Sequence, residues 1–195
     1  MASHTATTPS TIDVHTVYLE MLAHPQGPAN NAPAADLHIR RAKAPMFLFY
    51  RYLYDTVGEP WLWYDRRRLS RPDLEAIIHD PLVEVWVIFK AGTPAGFAEL
   101  DRRNGIDVEL KYFGLIPDFI GHGIGPYFLD WVVRTAWQGG SHKVTVNTCN
   151  FDHPKALRMY MEKGFIQVRT ESKAVADPRN SSAIVRPVPE LYYNS

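Results

Sequence analysis

Between Leu110 and Leu129 the chain runs from an apolar stretch through a turn with glycines at 121, 123 and 125 directly into an amphipathic helix. A second apolar stretch, Lys143–Cys149, follows the helix. The order strand, turn, helix, strand predicts a right-handed crossover joining two parallel strands, with the turn at the carboxyl end of the first. Glycine lets the turn bend tightly and approach a ligand, while the free amides and positive dipole end of the next helix attract an anion. A diphosphate is the natural guest.

The surroundings decide which diphosphate ligand is meant. A dinucleotide fold asks for a further glycine where Pro126 stands and for an acid about twenty residues on, and a P-loop asks for Gly-Lys-Ser/Thr. The sequence has none of these. Instead, Leu115-Ile-Pro117 leads into Ile120-Gly-His-Gly-Ile-Gly125, and the strand at 143–149 is followed by Asn150, Ala156, Tyr160 and Gly164-Phe165. On these residues the chain resembles the GNAT superfamily of acetyl-CoA-dependent N-acetyltransferases, over about residues 83–172.

The resemblance implies an α/β (α+β mixed) fold: a mixed, mostly antiparallel central sheet of about seven strands with helices on both faces. It implies acetyl-CoA as co-substrate, its pyrophosphate held by Gly121, His122, Gly123, Ile124, Gly125 and Pro126, and its pantetheine arm along Leu115 and Ile116. Asn150 either bonds that arm or caps the following helix. The family's Arg or Gln falls on Ile120, and Pro126 stands where a basic residue is common. Proline suits a first helical turn but donates no hydrogen bond, so the expected cradle has one amide fewer and binds the coenzyme more weakly.

Elsewhere, residues 1–12 read as a flexible tail and 13–195 as one domain. Val14–Leu22, Val83–Phe89, Gly96–Leu100, Asp107–Ile116, Ile166–Thr170 and Ile184–Val188 have strand character, as does 143–149. Pro45 opens a helix through Tyr54, Ser70 caps a second with Leu74, Ile77 and Ile78 as its apolar stripe, and Gly139-Gly140 closes the cradle helix, which buries Ile124, Phe128, Val132 and Ala136. Asn104-Gly105 signals a hairpin.

With 195 residues, 46% of them hydrophobic, the chain can bury one sizeable core. Its 21 basic and 21 acidic residues cancel, which predicts no general attraction to nucleic acid or to an anionic membrane. One cysteine and no apolar leader point to the reducing cytoplasm. The eight histidines lack metal-ligand spacing, so no metal is expected. A homodimer is left open.

Acetyl transfer to an amine needs an uncharged nucleophile and a proton for the leaving thiolate. Because amines are mostly protonated at neutral pH, a carboxylate or a water held by one must take that proton. By resemblance Glu109 is the candidate base, six residues before Leu115, and strand alternation would set Glu109, Lys111, Phe113 and Leu115 on one side. Its alternative is a surface pair with Lys111, and Glu99 is the rival base. Tyr160 matches the family position whose phenol protonates the thiolate, against the alternative of an ordinary core aromatic. Cys149 is read as a small buried hydrophobe and Arg66–Arg68 as solvated or carboxylate-paired.

The acceptor is expected to be a small-molecule or peptide amine. The aromatic runs Met46–Tyr54 and Trp61–Asp65 could line a cleft for an apolar body, with Asp55, Glu59 or Asp65 attracting a cationic group. A GNAT-like acyl-CoA-binding or sensory module without turnover is the alternative.

Overall fold

The computed structural model describes residues 10–180. Strands β1 Thr11–Met21, β2 Leu37–Ala42, β3 Val83–Lys90, β4 Thr93–Asp101, β5 Asp107–Leu115, β6 Lys143–Cys149 and β7 Ile166–Ala176 form one sheet in the order β2-β3-β4-β5-β6-β1-β7. All neighbours are antiparallel except β5 and β6. Helices α1 Phe47–Gly58, α2 Arg71–Ile78, α3 Ile124–Ala136 and α4 Ala156–Glu162 complete the described residues, with short 3-10 turns between them.

The two faces of the sheet carry two cores. On one, α3 buries Ile124, Phe128, Val132 and Ala136, at the helical spacing the sequence shows, against Leu100, Leu110, Val144 and Val146. On the other, Tyr50, Leu53, Tyr54 and Val57 of α1 and Leu74 and Ile78 of α2 cover Val85, Val87 and Phe97. Each fully buried large side chain stabilises the fold by about 1.5–3 kcal/mol. The Ser70 hydroxyl accepts the Asp73 amide at 3.3 Å and so caps α2.

Several expectations are corrected. Thr11 and Ile12 are already strand, because β1 pairs from Thr11 with Ala176 of β7, so the expected tail is shorter by those residues. The rest of it, residues 1–9, and the strand expected at Ile184–Val188 lie outside the described residues. β2, Leu37–Ala42, was not assigned from the sequence, because its alternation is confined to Leu37-His38-Ile39-Arg40 before a second arginine, and it forms as its backbone completes the ladder of β3. β7 runs on to Ala176 on the strength of its pairing with β1, although it is polar and largely exposed.

The most consequential correction lies in β5. Glu99 of β4 faces Tyr112 and Leu100 faces Leu110, so Lys111 is an extra residue, a bulge that breaks the alternation. Tyr112, instead of Phe113 and Leu115, therefore shares the α1 side with Glu109, while Phe113 and Leu115 pack on the α3 side.

Candidate active site

β5 and β6 pair over four positions only, Asp107 with Lys143 through Leu110 with Val146. Beyond Leu110 the bulge turns β5 away and the strands splay, although β5 continues to Leu115 and β6 to Cys149. A cavity of about 730 Å³ occupies the gap. Leu110, Lys111 and Leu115 form one wall, and Val146, Asn147 and Cys149 form the other.

At one end lies the glycine turn. Gly121 and Gly123 have φ of 90° and 74°, left-handed conformations that favour glycine, and Gly123 is the N-cap of α3. A Cβ at Gly121 would meet nothing within 4 Å, whereas one at Gly125 would touch Leu115 and Met159 at 3.7 and 3.9 Å. The turn is thus open outwards and close-packed inwards, and the first amides of α3, lacking intrahelical partners, can take an anionic group. Gly121, Gly123, Gly125 and Pro126 line the cavity with Leu115. His122 is exposed beside them and Ile124 is buried in the core beneath. Ile116 stays outside, its amide donating to the Ala95 carbonyl at 2.9 Å. Lys155 and Arg158 reach the cavity from the α4 side, where sequence reading assigned them nothing.

Tyr160 also lines the cavity, 5% exposed, edge-on to Phe165. Among the described residues its hydroxyl has no hydrogen-bond partner. Burial, with the charge of Asp152 adding to it, pushes this phenol well above the tyrosine range, so it stays protonated. Burial first and Asp152 second likewise push up the Cys149 thiol, an environment opposed to a thiolate nucleophile.

The other candidates fall elsewhere. Glu109 lies outside the cavity lining, its Oε1 accepting from Lys111 Nζ at 3.0 Å. Glu99 is fully buried, held by the Tyr50 hydroxyl and by Arg66 Nη2. Both ends of the Asn150 amide are engaged, Oδ1 accepting the His15 amide at 2.8 Å and Nδ2 donating to the Asp13 carbonyl at 3.1 Å. Asn150 thereby clamps β1 to the end of β6, and α4 has no side-chain cap.

At the far end the wall is aromatic: Tyr54, Trp61, Trp63, Tyr64 and Tyr112, with Phe151 opposite. Trp61 meets His153 edge-on, with ring centres 5.1 Å apart, and bridges the two sides. Tyr50 belongs to the core, not the wall. Asp55 is spent on Arg51 and Arg67, and Glu59 is exposed outside the lining, which leaves Asp65 among the acids expected there. Asp152 joins it, a residue to which sequence reading assigned nothing.

A strand splay with a glycine-rich helix N-terminus on one side defines an acyltransferase-type fold and cleft. The sequence profile of the Acetyltransferase (GNAT) family matches residues 47–165, and the chain belongs to that family. Among solved structures it is similar to a Drosophila protein (TM-score 0.59, 12% identity, covering 88% of this chain and 53% of that one). It is also similar to a putative GNAT-family acetyltransferase from Novosphingobium aromaticivorans (TM-score 0.54, 15% identity, 84% and 64%). A third similar structure is an aminoglycoside acetyltransferase from an uncultured soil metagenomic sample, in complex with trehalose (TM-score 0.52, 16% identity, 66% and 87%). This chain thus spans 53% and 64% of the length of the first two. No curated protein matches the sequence.

Proposed function

We propose that this protein transfers an acetyl group from acetyl-CoA to the primary amine of a small molecule or peptide, directly within a ternary complex. One observation carries the reading: a single cavity runs from the glycine turn past the Tyr160 phenol to an aromatic-lined end. Its volume is in the range of ordinary small-molecule sites. The pyrophosphate would lie on the first amides of α3, and the thioester would reach the splay beside Tyr160. The amine would enter from the Trp61 and Tyr64 side. Tyr160, kept protonated by burial, is suited to give its proton to the departing thiolate, a role worth on the order of 100-fold. The lone Cys149 suits a reducing, cytoplasmic setting.

A second reading, a module that binds acyl-CoA without turnover, is favoured by the distance of the two glutamates from the chemistry: neither Glu109 nor Glu99 lines the cavity. Free-CoA release measured against a broad amine panel separates the two. Acceptor-dependent release supports transfer, and acetyl-CoA binding with no such release supports the module.

A further inference from the structure

Among the described residues three carboxylates line the cavity, those of Asp65, Asp152 and Glu162. Glu162 is exposed and held by Arg158, whose Nε lies 2.6 Å from its Oε1, and Asp65 is exposed to solvent. Asp152 is half-buried and fixed by neutral donors alone. Its Oδ2 accepts the Thr148 hydroxyl at 2.9 Å and the Cys149 amide at 2.8 Å, and its Oδ1 accepts the indole N–H of Trp63 at 3.1 Å. Among the described residues no cation pairs with it.

A carboxylate offers about four lone-pair sites, and three are filled here. The free one is on Oδ1, the oxygen shared with the aromatic wall. The group is therefore rigid, unneutralised and one acceptor site short, in the cavity that Tyr160 also lines.

We propose that Asp152 receives the proton of the acceptor's ammonium group, and that the acceptor is a primary alkylamine with a flat apolar body lying against Trp61, Trp63 and Tyr54. The inference rests on the proposed acetyl transfer. One proton passes from R–NH3+ to the free lone pair of Oδ1. The amine's electron pair forms the N–C bond at the thioester carbonyl, the C–S bond breaks on collapse, and the thiolate takes the Tyr160 proton. The second proton on nitrogen restores the phenol, and Asp152 releases its own to solvent. Tyr160, kept protonated by burial, thus serves as the donor, and Asp152, held by neutral donors with one acceptor site open, as the acceptor.

The test compares two acceptors, 2-phenylethylamine, protonated at neutral pH, and an arylamine of similar size, already neutral there. For Asp152→Asn the ratio of alkylamine to arylamine kcat/KM should fall at least about tenfold from the wild-type value, because only the alkylamine needs a base. Damage to the turn or the wall would lower both rates together, so a parallel loss, or no loss, overturns the assignment. Should the variant fail to fold, wild-type protein decides. Without a base only the neutral alkylamine reacts, so kcat/KM for 2-phenylethylamine would rise about tenfold per pH unit from about pH 6 to 9. That slope overturns the inference, whereas a level profile over this range, with the protonated amine accepted, upholds it. If wild-type protein acetylates no amine, acetyl transfer itself fails.

Discussion

Arg66 Nη2 lies 2.5 Å from Glu99 Oε1, and both side chains are buried between the sheet and α1. The Tyr50 hydroxyl donates to the other carboxylate oxygen, and the Arg66 guanidinium lies over the Tyr112 ring, 5.3 Å from its centre. This ion pair ties the 3-10 turn at Arg66–Arg68 to β4, directly behind the aromatic wall of the cavity. Glu99 is thus a structural carboxylate whose charge is matched where it stands.

Removing one partner leaves the other charged and buried. Arg66→Met alone is expected to cost about 3–5 kcal/mol in urea denaturation, and adding Glu99→Leu to recover most of that loss. A single variant as stable as wild type would contradict the buried pairing.

At the glycine turn, Gly123→Asp sets a negative charge and a Cβ at a φ of 74°. The backbone strain costs about 1–2 kcal/mol, which the fold should survive. Acetyl-CoA affinity measured by calorimetry should fall several-fold or more, since the charge would face the expected pyrophosphate. Unchanged affinity in a folded variant would move the coenzyme elsewhere.

Tyr160→Phe keeps the ring against Phe165 and removes only the proton. The turnover number should drop by on the order of 100-fold with acetyl-CoA affinity little changed. Steady-state kinetics beside a binding isotherm decides this.

Burial raises the phenols of Tyr50, Tyr54, Tyr112 and Tyr160, mainly by desolvation. The stability they contribute is fully present below the unfolded tyrosine pKa of about 10 and is lost as pH rises above it, because the unfolded chain then binds fewer protons. Urea midpoints should fall as pH rises beyond about 10, and Tyr160→Phe should make that fall shallower.

Trp61 reaches the cavity from outside both cores, so Trp61→Ala should raise the acceptor KM while acetyl-CoA binding and melting temperature stay near wild type. Trp63 is a poorer probe. A Cβ at Gly58 would lie 2.5 Å from its Cβ, and its ring packs on Tyr54 and Tyr112, so its truncation damages the fold as well.

The crossover and the glycine turn were legible because they rest on short-range rules, helical spacing, conformational freedom at Gly121 and Gly123, and an apolar run at 143–149, whereas Tyr160 was singled out by the family resemblance and the structure sets it in the cavity lining. The sides taken by Phe113 and Leu115 were not legible, for a long-range cause, the bulge at Lys111, since one inserted residue reverses every side chain after it, whereas the Glu109–Lys111 pair offered as an alternative is the contact observed. β2 and the outer part of β7 take their strand form from neighbours, not from their own composition. Asp152 escaped notice because its importance comes from Trp63, which is distant in sequence and meets it only across the closed cleft.

The four-position ladder between β5 and β6 has a mechanical meaning. β2 to β5 form one group of strands and β6, β1 and β7 another, joined along a seam shorter than any ladder inside either. A ligand lodged in the splay would touch both groups of strands where no backbone ladder joins them, so its own contacts would do there what hydrogen bonds do elsewhere in the sheet.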